Sequence, residues 1–154
     1  MTASPQTKNK TLAALLALAG GGLGLHRFYL HGLRDAWAWV HVVPTVLGLW
    51  GVERMRALGQ DDVLSWILLP LLGLSVAVAC LSAIIYALMD KTKWNARYNP
   101  NQPTDAKAGQ TSWLTIVVLA CALMLGAIGL MSSLAFSFQR YFEHQIAEGL
   151  KISQ

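Results

Sequence analysis

Residues 11–30, TLAALLALAGGGLGLHRFYL, form an apolar run whose hydrophobic part ends early. A helix rises 1.5 Å per residue and the hydrocarbon core of a bilayer is about 30 Å thick, so a crossing needs about 20 apolar residues. The uncharged part of this run, residues 11–25, supplies only about 22 Å. A full crossing must take in His26 and Arg27, with the Arg27 guanidinium reaching the interface along its aliphatic stem. Read this way, the run is a first, short span. Outward from it lie a second short span at 33–52 and two longer ones at 63–89 and 113–138. The longer pair, each near 40 Å of helix, must tilt, kink or enter the headgroups, and Pro70 offers a kink. Backbone polar groups cannot go unpaired in lipid, so each span is read as a helix, and no sustained period-two alternation suggests a barrel.

Composition agrees with this reading. The chain has 154 residues, 55% hydrophobic and 13% charged, and a mean hydropathy of +0.44. An ordinary soluble domain carries about 25% charged residues. Such a composition excludes a disordered chain, which needs high charge and low hydrophobicity. The net charge of +4 comes from scattered Lys and Arg with no basic stripe, so no nucleic-acid partner is expected. Two cysteines make no disulfide framework.

The expected fold is therefore all-α, a polytopic membrane protein with four transmembrane helices arranged as two hairpins. Residues 1–10 form a polar N-terminal segment and 11–53 a first helical hairpin turning at 31–34. Residues 54–112 hold a linker, the third span and a polar loop, and 113–154 the fourth span with its tail. The loop at 90–112, with Asn99-Pro100 and Pro103, reads as flexible. In the tail, Phe138, Tyr141, Phe142, Ile146 and Leu150 recur three to four apart, which fits either an amphipathic helix on the membrane surface or a frayed end. A signal-peptide reading of Lys8, Lys10 and the following Leu/Ala run is set aside because the apolar run continues past Ala19 into glycines. With four crossings the Lys and Arg divide six and six between the two sides, so the positive-inside rule sets no orientation.

Several residues are candidates for more than architecture. Gly20 and Gly24, four apart, form a small-xxx-small pair, and Gly126 and Gly129 repeat the theme. Packing within the chain is the favoured reading and self-association the other. Arg27 and Asp35 flank the turn and suggest an ion pair, with Asp35 also suited to the N-terminal end of the next helix. The functional alternative is a docking or lipid-headgroup site at His26, Arg27 and Arg34, with Phe28 and Tyr29 in an aromatic belt. His41, inside the second span between Trp37 and Pro44, is either a hydrogen-bonded structural histidine or a proton- or ligand-linked site. Cys80 and Cys121 read as packing residues. The four histidines lack metal-binding spacing, and no cofactor or metal is expected.

The segment Gly20-Gly21-Gly22-Leu23-Gly24-Leu25-His26-Arg27-Phe28-Tyr29-Leu30, after Lys8-Asn9-Lys10, resembles the TM-two (TM2) domain family, whose bacterial members are often called NINE proteins. His31 stands where that family usually has Gly, with Gly32 one place later. Residues 48–53 resemble the end of the family's second helix, with Glu53 near a usual Asp. Residues 90–99, DKTKWNARYN, resemble a tail of a longer bacterial subgroup. The resemblance implies two short membrane helices joined by a turn and, from animal members, a cytoplasmic turn with the N-terminus on the opposite side. It implies no biochemical activity.

No nucleophile elbow, P-loop, zinc-protease or dinucleotide fingerprint is present. The expected function is that of a non-enzymatic small integral membrane protein of the bacterial cytoplasmic membrane. Its partners would be the lipid bilayer and other membrane proteins or a second copy of itself. The runner-up is a small oligomeric transporter or channel using His41, and a membrane enzyme comes third.

Overall fold

Four short polar residues start the principal helices of the computed structural model, which describes residues 7–152. Asn9 caps α1 (Lys10–Gly20) by accepting from the Leu12 amide, and Asp35 caps α3 (Ala36–Leu58) through the Trp37 amide. Asp62 caps α4 (Val63–Leu88) through Ser65, and Asp90 caps α5 (Lys91–Tyr98) through Thr92. Each side-chain oxygen satisfies an amide that the first helical turn leaves without a partner. Between α1 and α3 lies the short α2 (Leu25–His31), and the last helix, α6, runs Trp113–Ile152. The described residues contain no strand.

The first predicted span is not one helix. The chain leaves α1 at Gly20, makes a single 3-10 turn at Gly21–Leu23, and passes through Gly24 at φ +71° before entering α2. L-residues with a Cβ avoid that left-handed region, so the glycine cluster that shortened the apolar run also breaks the helix. After the break α2 folds back along α1. The Lys8 ammonium donates to the Leu30 carbonyl, and the Asn9 amide donates to the Tyr29 hydroxyl at 2.8 Å. The start of α1 and the end of α2 are thus at the same end of the molecule. Residues 31–35 therefore lie beside the N-terminal segment rather than opposite it, contrary to the two-crossing hairpin expected for 11–53.

From that end α3 runs away, α4 returns and α6 runs away again. At the far end Arg54 clasps Asp62 with two hydrogen bonds, 2.8 and 2.9 Å, across the α3–α4 turn. Helix α4 is central and packs against α1, α3 and α6. Small residues allow the approach. Gly48 and Gly51 of α3 seat Leu72 and Leu68, Gly126 faces Cys80, and Gly73 meets Gly129 and Ser133. Ala13, Ala14 and Ala17 of α1 are fully buried.

Two further expectations change. Residues 90–112 are not a bare flexible loop: α5 and a 3-10 turn at Lys107–Gly109 pack over the end of the bundle. The segment after 138 is neither frayed nor a separate surface helix. It continues α6 without a break to Ile152, where Arg140 donates to Gln60 at 3.3 Å and His144 lies edge-on to Trp66. Two stretches are long and apolar enough to cross a membrane, Val63–Leu88 and the Lys107–Ile152 stretch that contains α6, where four spans were expected.

Candidate functional site

Polar residues gather at the end where α1 starts and α2 finishes. The segment before α1 is held by α5. The Lys8 amide donates to Asn99 Oδ1 at 2.8 Å, and the Lys8 carbonyl accepts from Trp94 Nε1 at 2.9 Å and Asn99 Nδ2 at 3.0 Å. Trp94 and Asn95 are completely buried, and Asn95 donates to the carbonyls of Thr104 and Ala106, fixing the loop above. Lys10 is also buried. Its ammonium donates to the Met89 carbonyl at 2.9 Å and Thr111 Oγ1 at 2.6 Å, so a cation sits where the α4 dipole ends. The Lys-Asn-Lys run and the 90–99 segment, 80 residues apart in sequence, are therefore one structural unit.

The turn motif is arranged around Asp35. Arg27 Nε donates to Asp35 Oδ2 at 2.8 Å, and His31 Nδ1 lies 3.7 Å from the same oxygen. The Arg27 hydrogen bond, ahead of the Trp37 amide, holds the Asp35 carboxyl below the usual carboxylate range. Phe28 stands edge-on to Trp39, and Tyr29 receives the Asn9 amide. Arg34 is exposed on the turn.

Beside this turn a cleft of about 210 Å³ opens between α2, α4 and α5. Arg27 and His31 line one side, Arg97 and Tyr98 the other, with Tyr86 and Ser82 of α4 as its floor. Tyr86, Trp94 and Tyr98 form an aromatic wall, Tyr86 edge-on to the other two and Trp94 tilted against Tyr98 with centroids 4.4 Å apart. The sequence reading missed Arg97, Tyr98 and Tyr86 as site residues. The signal was the basic, aromatic 90–99 segment, already singled out but without a place in space.

His26 does not belong to an exposed docking site with Arg34. It is 1% exposed and points into the bundle, because α2 runs back along α1. Its ring is edge-on to His41 at 5.4 Å and tilted to Tyr86 at 5.7 Å, and its Nδ1 has no hydrogen-bond partner among the described residues. His41 Nδ1 lies 2.8 Å from the Trp37 carbonyl. A carbonyl only accepts, so this nitrogen carries the proton. Thr45, one turn further, donates to the Gly22 carbonyl at 2.7 Å and lies 3.1 Å from the His41 carbonyl.

All four singled-out glycines make contacts within the chain. Gly20 abuts Leu25 of its own hairpin, Gly24 the Ala38 carbonyl, Gly126 Cys80 and Gly129 the Gly73 carbonyl. Among the described residues no three His, Cys, Asp or Glu side chains converge as metal ligands would.

Residues 6–54 match the model of the TM2 domain family. No curated protein and no solved structure matches the chain.

Proposed function

We propose, from the match of residues 6–54 to the TM2 domain family, that the protein is a non-enzymatic integral membrane protein. It crosses the bilayer at α4 and α6, the two stretches long and apolar enough by themselves. It also crosses at α3, a less apolar helix whose 23 residues have the length to cross and which packs along α4. It acts through contacts with lipids or other membrane proteins. The observation that carries the reading is the outer surface. Only 33% of the most apolar window of α4 and 17% of that of α6 is buried, too little for core helices of a soluble protein. Between the ends nearly all exposed side chains are apolar on the three long helices, among them Val43 and Val46, Ile67 and Leu81, Met124 and Ile128, with Ser132 of α6 an exception. Exposed tryptophans flank this girdle, with Trp37, Trp39 and Trp113 at one end and Trp50 at the other beside Phe138 and Tyr141. That is the distribution of an interfacial aromatic belt.

In this reading α1 and α2 form a re-entrant hairpin. Gly22 meets Thr45, the tenth residue of α3, and Gly21 meets Ala79, a similar distance from the end of α4. Nine residues of helix are about 14 Å, so the tip reaches roughly the bilayer midplane. Non-helical backbone at that depth is tolerated only when protein satisfies it. Here the Gly24 amide donates to the Gly21 carbonyl, and the Thr45 hydroxyl supplies the Gly22 carbonyl.

The topology also breaks the charge tie. Lys8, Lys10, Arg27, Arg34, Lys91, Lys93, Arg97 and Lys107 lie at the end shared by the N-terminal segment and the 89–112 cap. Arg54, Arg56, Arg140 and Lys151 lie at the other. Eight against four supports a cytoplasmic first end by the positive-inside rule. The likeness to NINE proteins points to a bacterial cytoplasmic membrane.

The test is single-cysteine labelling with an impermeant maleimide on intact cells and inverted vesicles, with unsubstituted chain as the background for Cys80 and Cys121. Thr7→Cys, Leu33→Cys and Asp105→Cys should label only from the cytoplasmic face and Asp61→Cys only from the opposite one. Thr7 and Leu33 labelling from opposite faces would restore the four-crossing arrangement and refute this one.

A further inference from the structure

We propose that the cleft between α2, α4 and α5 binds the phosphate headgroup of an anionic phospholipid from the cytoplasmic leaflet; this rests on the membrane reading above. Two guanidinium groups face it. The one hydrogen bond of the Arg27 guanidinium among the described residues uses Nε toward Asp35, so its two terminal amines are left for a ligand. Arg97 makes no ion pair among the described residues, and its guanidinium lies 5.6 Å from the Tyr98 ring centroid. Tyr86 and Tyr98 bring hydroxyl groups to the same space, while the Ser82 hydroxyl already donates to the Val78 carbonyl at 3.0 Å. Two planar forks with hydroxyl donors between them suit the several oxygens of a phosphate. The nearby carboxylate, Asp35, is already held by Arg27.

Size and position choose among anions. Pockets for ordinary metabolites run from about 300 Å³ upward, and this one is about 210 Å³. That space suits a headgroup better than a nucleotide. Ile85 and Met89 form its apolar rim. From Ile85 the outer face of α4 continues through Leu81 and Val78, all exposed and apolar, toward the bilayer centre. An acyl chain can follow that face while the phosphate stays between the arginines. A free phosphate ion would have no use for the apolar rim. The cleft lies at the end that carries eight of the twelve cations, the side on which anionic lipid attracts basic residues.

The experiment uses the full chain purified in neutral detergent and native mass spectrometry against equimolar phosphatidylglycerol and phosphatidylcholine of identical acyl chains. The unsubstituted protein should retain phosphatidylglycerol preferentially. Arg97→Gln should lower the bound ratio about fivefold, the worth of one cation at an anionic surface. Arg97→Lys should keep part of it, which separates loss of charge from loss of fold. Arg34→Gln, a cation at the same end outside the cleft, should leave the ratio unchanged. Equal losses for Arg97→Gln and Arg34→Gln would mean diffuse charge attraction and would overturn the site. Inorganic phosphate displacing phosphatidylglycerol at equal concentration would make it a free-anion site and overturn the lipid assignment. Release of the chain from membranes by alkaline carbonate would sink the membrane reading itself. Retention in carbonate without lipid preference would sink the cleft alone.

Discussion

Replacing Gly24 with alanine tests the hairpin at its most constrained point. Two costs arise together. Gly24 has φ +71°, and an L-residue with a Cβ there is worse by about 1–2 kcal/mol. The added methyl would also press into the Ala38 carbonyl oxygen, with the Ala38 carbonyl carbon at 3.0 Å and its Cα at 3.1 Å. Those atoms are backbone in the first turn of α3 and cannot rotate away. Overpacking of this kind adds about 1–3 kcal/mol, so the total is about 2–5 kcal/mol. Two controls separate the costs. Gly32 has φ +86° with nothing within 4 Å of an added Cβ, so Gly32→Ala should show only the conformational cost of about 1–2 kcal/mol. Gly20 has negative φ, and a methyl there meets the far end of the Leu25 side chain, which can turn aside. Gly20→Ala should be the mildest of the three. The assay is equilibrium unfolding from mild detergent into SDS, followed by helical circular dichroism. Gly24→Ala within about 0.5 kcal/mol of Gly32→Ala, the scale of an ordinary surface substitution, would mean that α2 does not press against α3 at this glycine. The re-entrant geometry would then be wrong.

Three other perturbations follow from the same contacts. Asn99→Ala removes both its bonds to the Lys8 backbone and leaves the part-buried Lys8 amide without that partner, a cost of about 1 kcal/mol or more; hydrogen exchange at the Lys8 amide should accelerate, and an unchanged rate would contradict the α5 clamp. Thr45→Val keeps the shape but strips the donor from the Gly22 carbonyl, so SDS unfolding should report a loss of about 1 kcal/mol or more while Thr45→Ser retains most of the stability. The Asp62 carboxyl is held far below its ordinary range, first by Arg54 and then by Ser65. A lowered folded-state pKa contributes stability that is present above about pH 4 and is lost as pH falls further. Asp62→Asn, which can still cap α4, should lower the melting temperature at pH 7 and flatten its decline below about pH 4, and an equally steep decline in the variant would refute the clasp.

The helical elements were legible because their causes are local. The caps Asp35 and Asp62 stand directly before apolar runs, and α4 and the start of α6 carry the required length of apolar residues. The hairpin was misread for a physical reason. Glycine in an apolar run is compatible both with close helix packing and with a turn, and periodicity does not distinguish them. The deciding facts are nonlocal: a threonine in α3 that supplies the Gly22 carbonyl, and an asparagine and a tryptophan in α5 that hold the Lys8 backbone. The tail was misread for the complementary reason. Spacing of three to four marks a helix but carries no information about whether that helix has separated from the one before it.

What surrounds the site depends on the hairpin in the same way. Arg27 and Arg97 are separated by 70 residues and would share an end even with α1 and α2 as a single crossing; what folding α2 back adds is the Lys8 segment, which α5 holds beside them. The pairing of Arg27 with Asp35 leaves its terminal amines for the cleft that Tyr86 and Arg97 also line. The same reversal turns His26 inward, away from Arg34 and against His41. One backbone event at Gly24 therefore removes one expected site and brings the Lys8 segment beside another. It also moves Lys8 and Lys10 to the same end as Arg34, converting a six-to-six charge division into eight to four. The charges were in plain view throughout, but their sidedness is a property of the path between them, and that path is decided by a glycine turn buried against α3.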